Sequence, residues 1–150
     1  MNRKRLSFGP RGFVLFLILA GGILFWSGAA AFHKSIYEPR VPPDQLEKWQ
    51  EIENPFPPTS EHIDKGRQIY FGKGLCVTCH SNNGKGAKLP GHSPRDFTDE
   101  KWQDLRTDGE LMWVLKNGSP GTGMPVRVGR VISEEDGWNV IHFIRTFADR

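Results

Sequence analysis

The 150-residue sequence predicts an all-α protein, a small helical domain preceded by one N-terminal transmembrane helix. Three features carry that expectation. Residues 12–32 run for 21 positions without a formal charge. Apolar residues then recur at helical spacing in segments near 60–70, 107–115 and 133–147, separated by Gly- and Pro-rich breaks. Between the first two of these helices lies Cys76-Val77-Thr78-Cys79-His80, which contains both cysteines of the chain.

That pentapeptide is the chemical centre of the sequence. Two thiols three residues apart, followed at once by an imidazole, can hold a haem: the thiols add to its vinyl groups as thioethers, and His80 comes under the iron as proximal ligand. A structural zinc site would need about four ligands, and no second cysteine pair supplies them. A thioredoxin-like redox pair wants a βαβ setting and an aromatic before the first cysteine, where Leu75 stands. The expected cofactor is therefore one covalently bound haem c. It would add apolar mass to a chain whose hydrophobic content is only 37%.

The formal charge of +3 is unevenly distributed. Arg3, Lys4, Arg5 and Arg11 give residues 1–32 a charge of +4 with no acid, leaving 16 bases and 17 acids elsewhere. The basic pI near 9.0 belongs to the N-terminal tail, so it points to no nucleic-acid partner.

Taken in order, residues 1–32 read as a basic N-terminus and membrane anchor. At about 1.5 Å per residue the uncharged run spans roughly 30 Å as a helix, the thickness of bilayer hydrocarbon. Phe25 and Trp26 lie towards its far end, where interfacial aromatics gather, and the preceding bases place the N-terminus in the cytoplasm. The expected location is a single pass through the inner membrane, with the haem domain on the periplasmic side. A cleaved signal peptide is the competing reading, with Ala29-Ala30-Ala31 as the cleavage site. The length of the run favours an uncleaved anchor, since h-regions span about 7–15 residues.

Residues 33–59 hold six of the eleven prolines and read as a stiff, extended linker. Within it, residues 43–52 have the apolar spacing of a short helix carrying Trp49. An exposed Trp there would suit docking on a partner subunit.

Residues 60–150 form the domain proper. An amphipathic helix from Ser60 places Ile63, Gly66 or Arg67, and Tyr70 on one face, and Gly66 implies close approach by a second helix. Gly72 and Gly74 end it. After His80, a loop with Gly84, Gly86, Pro90, Gly91 and Pro94 leads to a short helix over residues 99–104 carrying Trp102. A carbonyl near Pro90 or Pro94 is expected to fix the His80 tautomer. Thr107-Asp108-Gly109-Glu110 has capping-box spacing and opens a helix closed by Asn117-Gly118. Ser133 caps the last helix, whose first turn is acidic and whose apolar face runs from Trp138 to Phe147.

Residues 119–125, Ser-Pro-Gly-Thr-Gly-Met-Pro, are forced out of regular structure. A thioether on such a stiff loop is suited to reach the iron opposite His80, and Met124 is the expected sixth ligand. Met112 is expected in the core, His92 in a flexible loop close to the proximal side, and His142 as a surface or packing residue.

Together these motifs resemble class I cytochrome c over residues 60–148. The segments 94–99, 108–111 and 121–125 are similar to those of membrane-anchored monohaem cytochromes of bacterial respiratory chains. That resemblance implies a cytochrome c-like fold, thioethers at Cys76 and Cys79, and His80 and Met124 as axial ligands. The implied function is transfer of single electrons between redox partner proteins, or other subunits of a membrane complex, without bond chemistry. A haem enzyme with a displaceable sixth ligand is the alternative. Val126-Arg127-Val128-Gly129-Arg130 departs from the small apolar stretch often found in such proteins. Six bases and no acid between Lys65 and Arg95 would form a patch that steers an acidic partner.

Overall fold

In a computed structural model the described residues are 36–148. Two helices, α2 (Ser60–Phe71) and α6 (Glu134–Arg145), cross to form the centre of the domain. Around them lie α1 (Leu46–Gln50), α3 (Val77–His80), α4 (Glu100–Leu105) and α5 (Asp108–Asn117). The described residues contain no strand, only two isolated bridges. The candidate span at residues 12–32 lies outside them, and among the described residues no helix is long and apolar enough to cross a membrane.

Gly66 sets the crossing. It is buried against the backbone of Asn139, and a Cβ there would lie 2.6 Å from the Asn139 carbonyl carbon and 3.0 Å from Phe143 Cβ. Beside this contact the rings of Tyr70, Phe143 and Phe147 pack at 5.1–5.5 Å in tilted and edge-on pairs, all at most 2% exposed. Each such ring removed from water contributes about 1.5–3 kcal/mol, so this cluster is a main source of stability.

Helix starts follow local chemistry. Thr107 Oγ1 accepts from Glu110 N–H while the Glu110 carboxylate accepts from Thr107 N–H, and Ser133 and Asp136 repeat the arrangement on α6. Thr59 and Asp99 cap α2 and α4 through their side chains. Glu110 also pairs with Arg106 at 2.6 Å, with both side chains at most 9% exposed. Arg145 ties the far end of α6 to this region, donating to Asp108, Gln103 and the Arg106 carbonyl.

The described part of the Pro-rich stretch, read from the sequence as a stiff, extended linker, packs on the helical domain. Val41 is 2% exposed. The carbonyls of Trp49 and Ile52 lie against Gly109, where a side chain would find no room. Arg106 Nη2 donates to Tyr37 O at 3.0 Å, Asn54 Nδ2 to Trp138 O at 3.1 Å, and His142 Nε2 to Phe56 O at 2.8 Å. Proline-rich backbone forms little regular structure, so its carbonyls remain available to Arg106 and His142 of the domain, while Asn54 of the segment donates in the other direction. Trp49 is half-buried against the core of its own chain.

A candidate haem site

The site is built from a single helical turn. Cys76 precedes α3, and the His80 amide donates back to the Cys76 carbonyl at 2.9 Å. Both cysteines are free thiols, Cys76 buried and Cys79 half-buried. Burial pushes the Cys76 thiol up to about 11, against the pull of Arg127. The turn is held from α2, where Tyr70 Oη donates to Ser81 O at 2.8 Å.

His80 is 8% exposed, and its ring stacks on Phe97 at 4.3 Å and 17°. Burial holds its pKa below the ordinary histidine value, only partly offset by a hydrogen bond to Arg95 O, so the neutral imidazole is the form present at pH 7. That bond runs from Nδ1 to Arg95 O at 3.1 Å. The carbonyl can only accept, so Nδ1 carries the proton and the Nε2 lone pair is left to bind a metal. The expected partner was a carbonyl near Pro90 or Pro94; it belongs to the residue after Pro94. The loop that delivers it is folded back on α3, with Ala87 N–H on Cys79 O, Gly86 N–H on His80 O and Phe97 N–H on Gly84 O.

Met124 hangs from the end of α5, half-buried and packed against the core. Its loop is closed internally. Ser119 N–H donates to Met124 O at 3.0 Å, Thr122 Oγ1 to Ser119 O at 2.7 Å, and Met124 N–H to Thr122 Oγ1 at 3.2 Å. Ser119 Oγ is buried with no partner among the described residues. Met112 is fully buried, and His142 lies away from this site on the Phe56 carbonyl. His92 is exposed, with its ring against Gly123 in the Met124 loop.

Two thiols and a neutral imidazole with one nitrogen left open, on a single helical turn, make a donor set that fits haem c. A family model for cytochrome c matches residues 63–148. The chain belongs to the cytochrome c family. Haem c binding and a role in haem electron transfer come with that membership. In fold this cytochrome c is similar to a chain of the reducing HAO-like protein complex of Kuenenia stuttgartiensis, at 24% identity and a TM-score of 0.52. The match covers 69% of this chain and 54% of that one, so this chain spans about half the length of the structure it matches. No curated protein matches it.

Electrostatics adds one residue that the sequence did not single out for this role. Arg127 acts on both Cys76 and His80, which places a fixed positive charge beside the site. Other bases are committed elsewhere. Lys65 pairs with Glu61 at 2.9 Å, Lys73 with Asp136 at 2.6 Å, and the Arg95 guanidinium lies over Trp102 at 5.5 Å. The run of six bases is therefore not one free patch.

Proposed function

We propose that this cytochrome c is a membrane-tethered monohaem protein that passes single electrons between redox partners as a subunit of a respiratory membrane complex. Cys76 and Cys79 hold one haem through thioethers, and His80 and Met124 are its axial ligands. Residues 12–32 anchor the chain in the inner membrane, with the haem domain on the periplasmic side. The observation that carries the ligand assignment is the His80 imidazole, buried, neutral and fixed through Nδ1 on the same turn as two free thiols. The tether rests on the uncharged run and the bases before it. The similar chain from a protein complex is in keeping with a subunit role.

When bound, the haem supplies an iron that changes oxidation state by one electron. The protein's part is to keep that change small in structural cost. Arg95 O and Phe97 hold the His80 ring in one orientation, and the hydrogen bonds within residues 119–124 fix the shape of the loop that carries the thioether. Ligands fixed before and after the electron moves need little reorganisation. Arg127 disfavours further positive charge nearby, and so favours the reduced state.

The test is a membrane fraction run on a denaturing gel and stained for haem, followed by intact mass. The expected mass exceeds the polypeptide by one haem. A mass equal to the polypeptide, or carrying two haems, overturns the proposal. Met124→Ala is expected to abolish the methionine–iron absorption band of the oxidised protein and to lower the reduction potential.

A further inference from the structure

One loop touches both ligand-bearing elements. Residues 81–97 leave His80, and Arg95 O returns to fix its imidazole. Between these points the chain makes a tight turn, Leu89-Pro90-Gly91-His92, closed by His92 N–H on Leu89 O at 3.1 Å. Pro90 restricts φ at the second position, and Gly91 takes a φ of +71° at the third, the composition and conformation a type II turn requires. His92 is thus presented by stiff backbone, three residues before the carbonyl that holds His80.

The His92 ring lies against the Met124 loop at Gly123. A Cβ on Gly123 would come within 2.7 Å of His92 Nδ1 and 3.0 Å of Cε1. Gly123 immediately precedes Met124, and the glycine is what lets the ring approach. Among the described residues the rest of this loop's outer side is open: a Cβ on Gly121 would meet nothing within 4 Å, and Gly121, Thr122, Gly123 and Pro125 are all exposed. The hydrogen bonds that close the loop are internal to residues 119–124, and those that anchor its ends to α5, Gly118 N–H on Val114 O and Arg127 and Val128 N–H on Leu115 O, lie to either side of residues 121–124.

We propose that His92 is a positioning residue that clamps the Met124 loop, a role that presupposes Met124 as the sixth ligand. The contact is one of packing. It couples the two axial ligands through a single loop, so that the carbonyl orienting His80 and the ring restraining Met124 move together. Removing the ring frees residues 121–124 to swing outward and lets the thioether leave the iron more often. Because His92 is exposed and supports no core contact, its loss leaves the fold in place.

The measurement is the rate at which added imidazole displaces Met124 from the iron of the purified oxidised holoprotein, together with the intensity of the methionine–iron band. His92→Ala is expected to raise the displacement rate on the order of fivefold or more, as for residues in direct contact, and to weaken the band. Gly123→Ala, which evicts the ring from the other side, is expected to do the same. His92→Phe keeps a flat ring and is expected to restore values close to those of the unmodified protein. A displacement rate and band unchanged in both His92→Ala and Gly123→Ala overturn the clamp while leaving Met124 as ligand. An unmodified protein without the methionine–iron band overturns the ligand assignment and the clamp with it.

Discussion

Gly66 on α2 rests against the carbonyl of Asn139 on α6, closer than any other residue type would allow. The aromatic cluster that supports the turn of Cys76 and His80 depends on this approach, because Tyr70 lies one turn along the same helix and its hydroxyl holds Ser81.

Gly66→Ala is therefore expected to destabilise the domain although it improves helix propensity by about 1 kcal/mol. The methyl group meets backbone, which cannot rotate away, so overpacking of about 3 kcal/mol or more prevails. Denaturant unfolding of the haem-loaded protein measures the difference. A gain in stability would show that the helices can separate at no cost.

Arg106 and Glu110 form a buried pair that also holds the Pro-rich segment through Tyr37 O. Glu110→Ala removes the counter-charge of Arg106 and the carboxylate that accepts from the Thr107 amide, leaving Thr107 Oγ1 on the amide of residue 110. A loss of about 3–5 kcal/mol is expected, the usual cost of leaving one buried charge alone. Protease cleavage within residues 36–45 should rise in parallel, read by mass spectrometry of the fragments.

Asp136 gives a pH dependence. Partial burial raises its pKa, but Lys73 and the Ser133 amide and hydroxyl outweigh this and hold it below the ordinary carboxylate value. A carboxylate whose pKa is depressed on folding stabilises the protein above its unfolded pKa, and the contribution is lost as pH falls through the folded one. Stability should therefore drop below about pH 4, where carboxylates titrate. Asp136→Asn should flatten that part of the profile in a pH series of thermal unfolding.

The two thiols are expected to differ when no haem is attached. Cys76 is buried with its pKa pushed up to about 11, whereas Cys79 is half-buried. Alkylation of the folded haem-free chain at pH 8 should modify Cys79 well before Cys76. The mature haem-loaded protein, unfolded in denaturant, should offer neither thiol.

Local chemistry made much of this fold readable in advance. Ser133 and the Thr107–Glu110 box announce their helices, because a cap is a contact between near neighbours. Gly66 signalled a helix crossing because a glycine inside an amphipathic helix needs a reason. Met112 lies in the core as its place within a helix implied. What could not be read were contacts across long stretches of chain. The density of proline in residues 33–59 said nothing of the donors on Arg106 and His142 that take up its carbonyls, or of the Trp138 carbonyl that accepts from its own Asn54. Gly109 was the available clue: a glycine in a capping box that needs none, left bare because the Trp49 and Ile52 carbonyls lie on it. At the site, the tautomer of His80 was expected to be fixed by a loop carbonyl, yet only the fold could choose Arg95. The approach of His92 to Gly123 carried no sequence signal, since exposed loop residues have no periodicity.

The packed Pro-rich segment has a practical consequence for anyone preparing a soluble fragment. The sequence invites a cut at residue 60, where the familiar haem-binding motifs begin. Such a fragment would strip Val41 and Phe56 from the domain, bare the backbone around Gly109 and take the Tyr37 carbonyl from Arg106 and the Phe56 carbonyl from His142. Fragments beginning at residue 36 or earlier keep that covering and should remain monodisperse, whereas those beginning at 60 should aggregate on a sizing column.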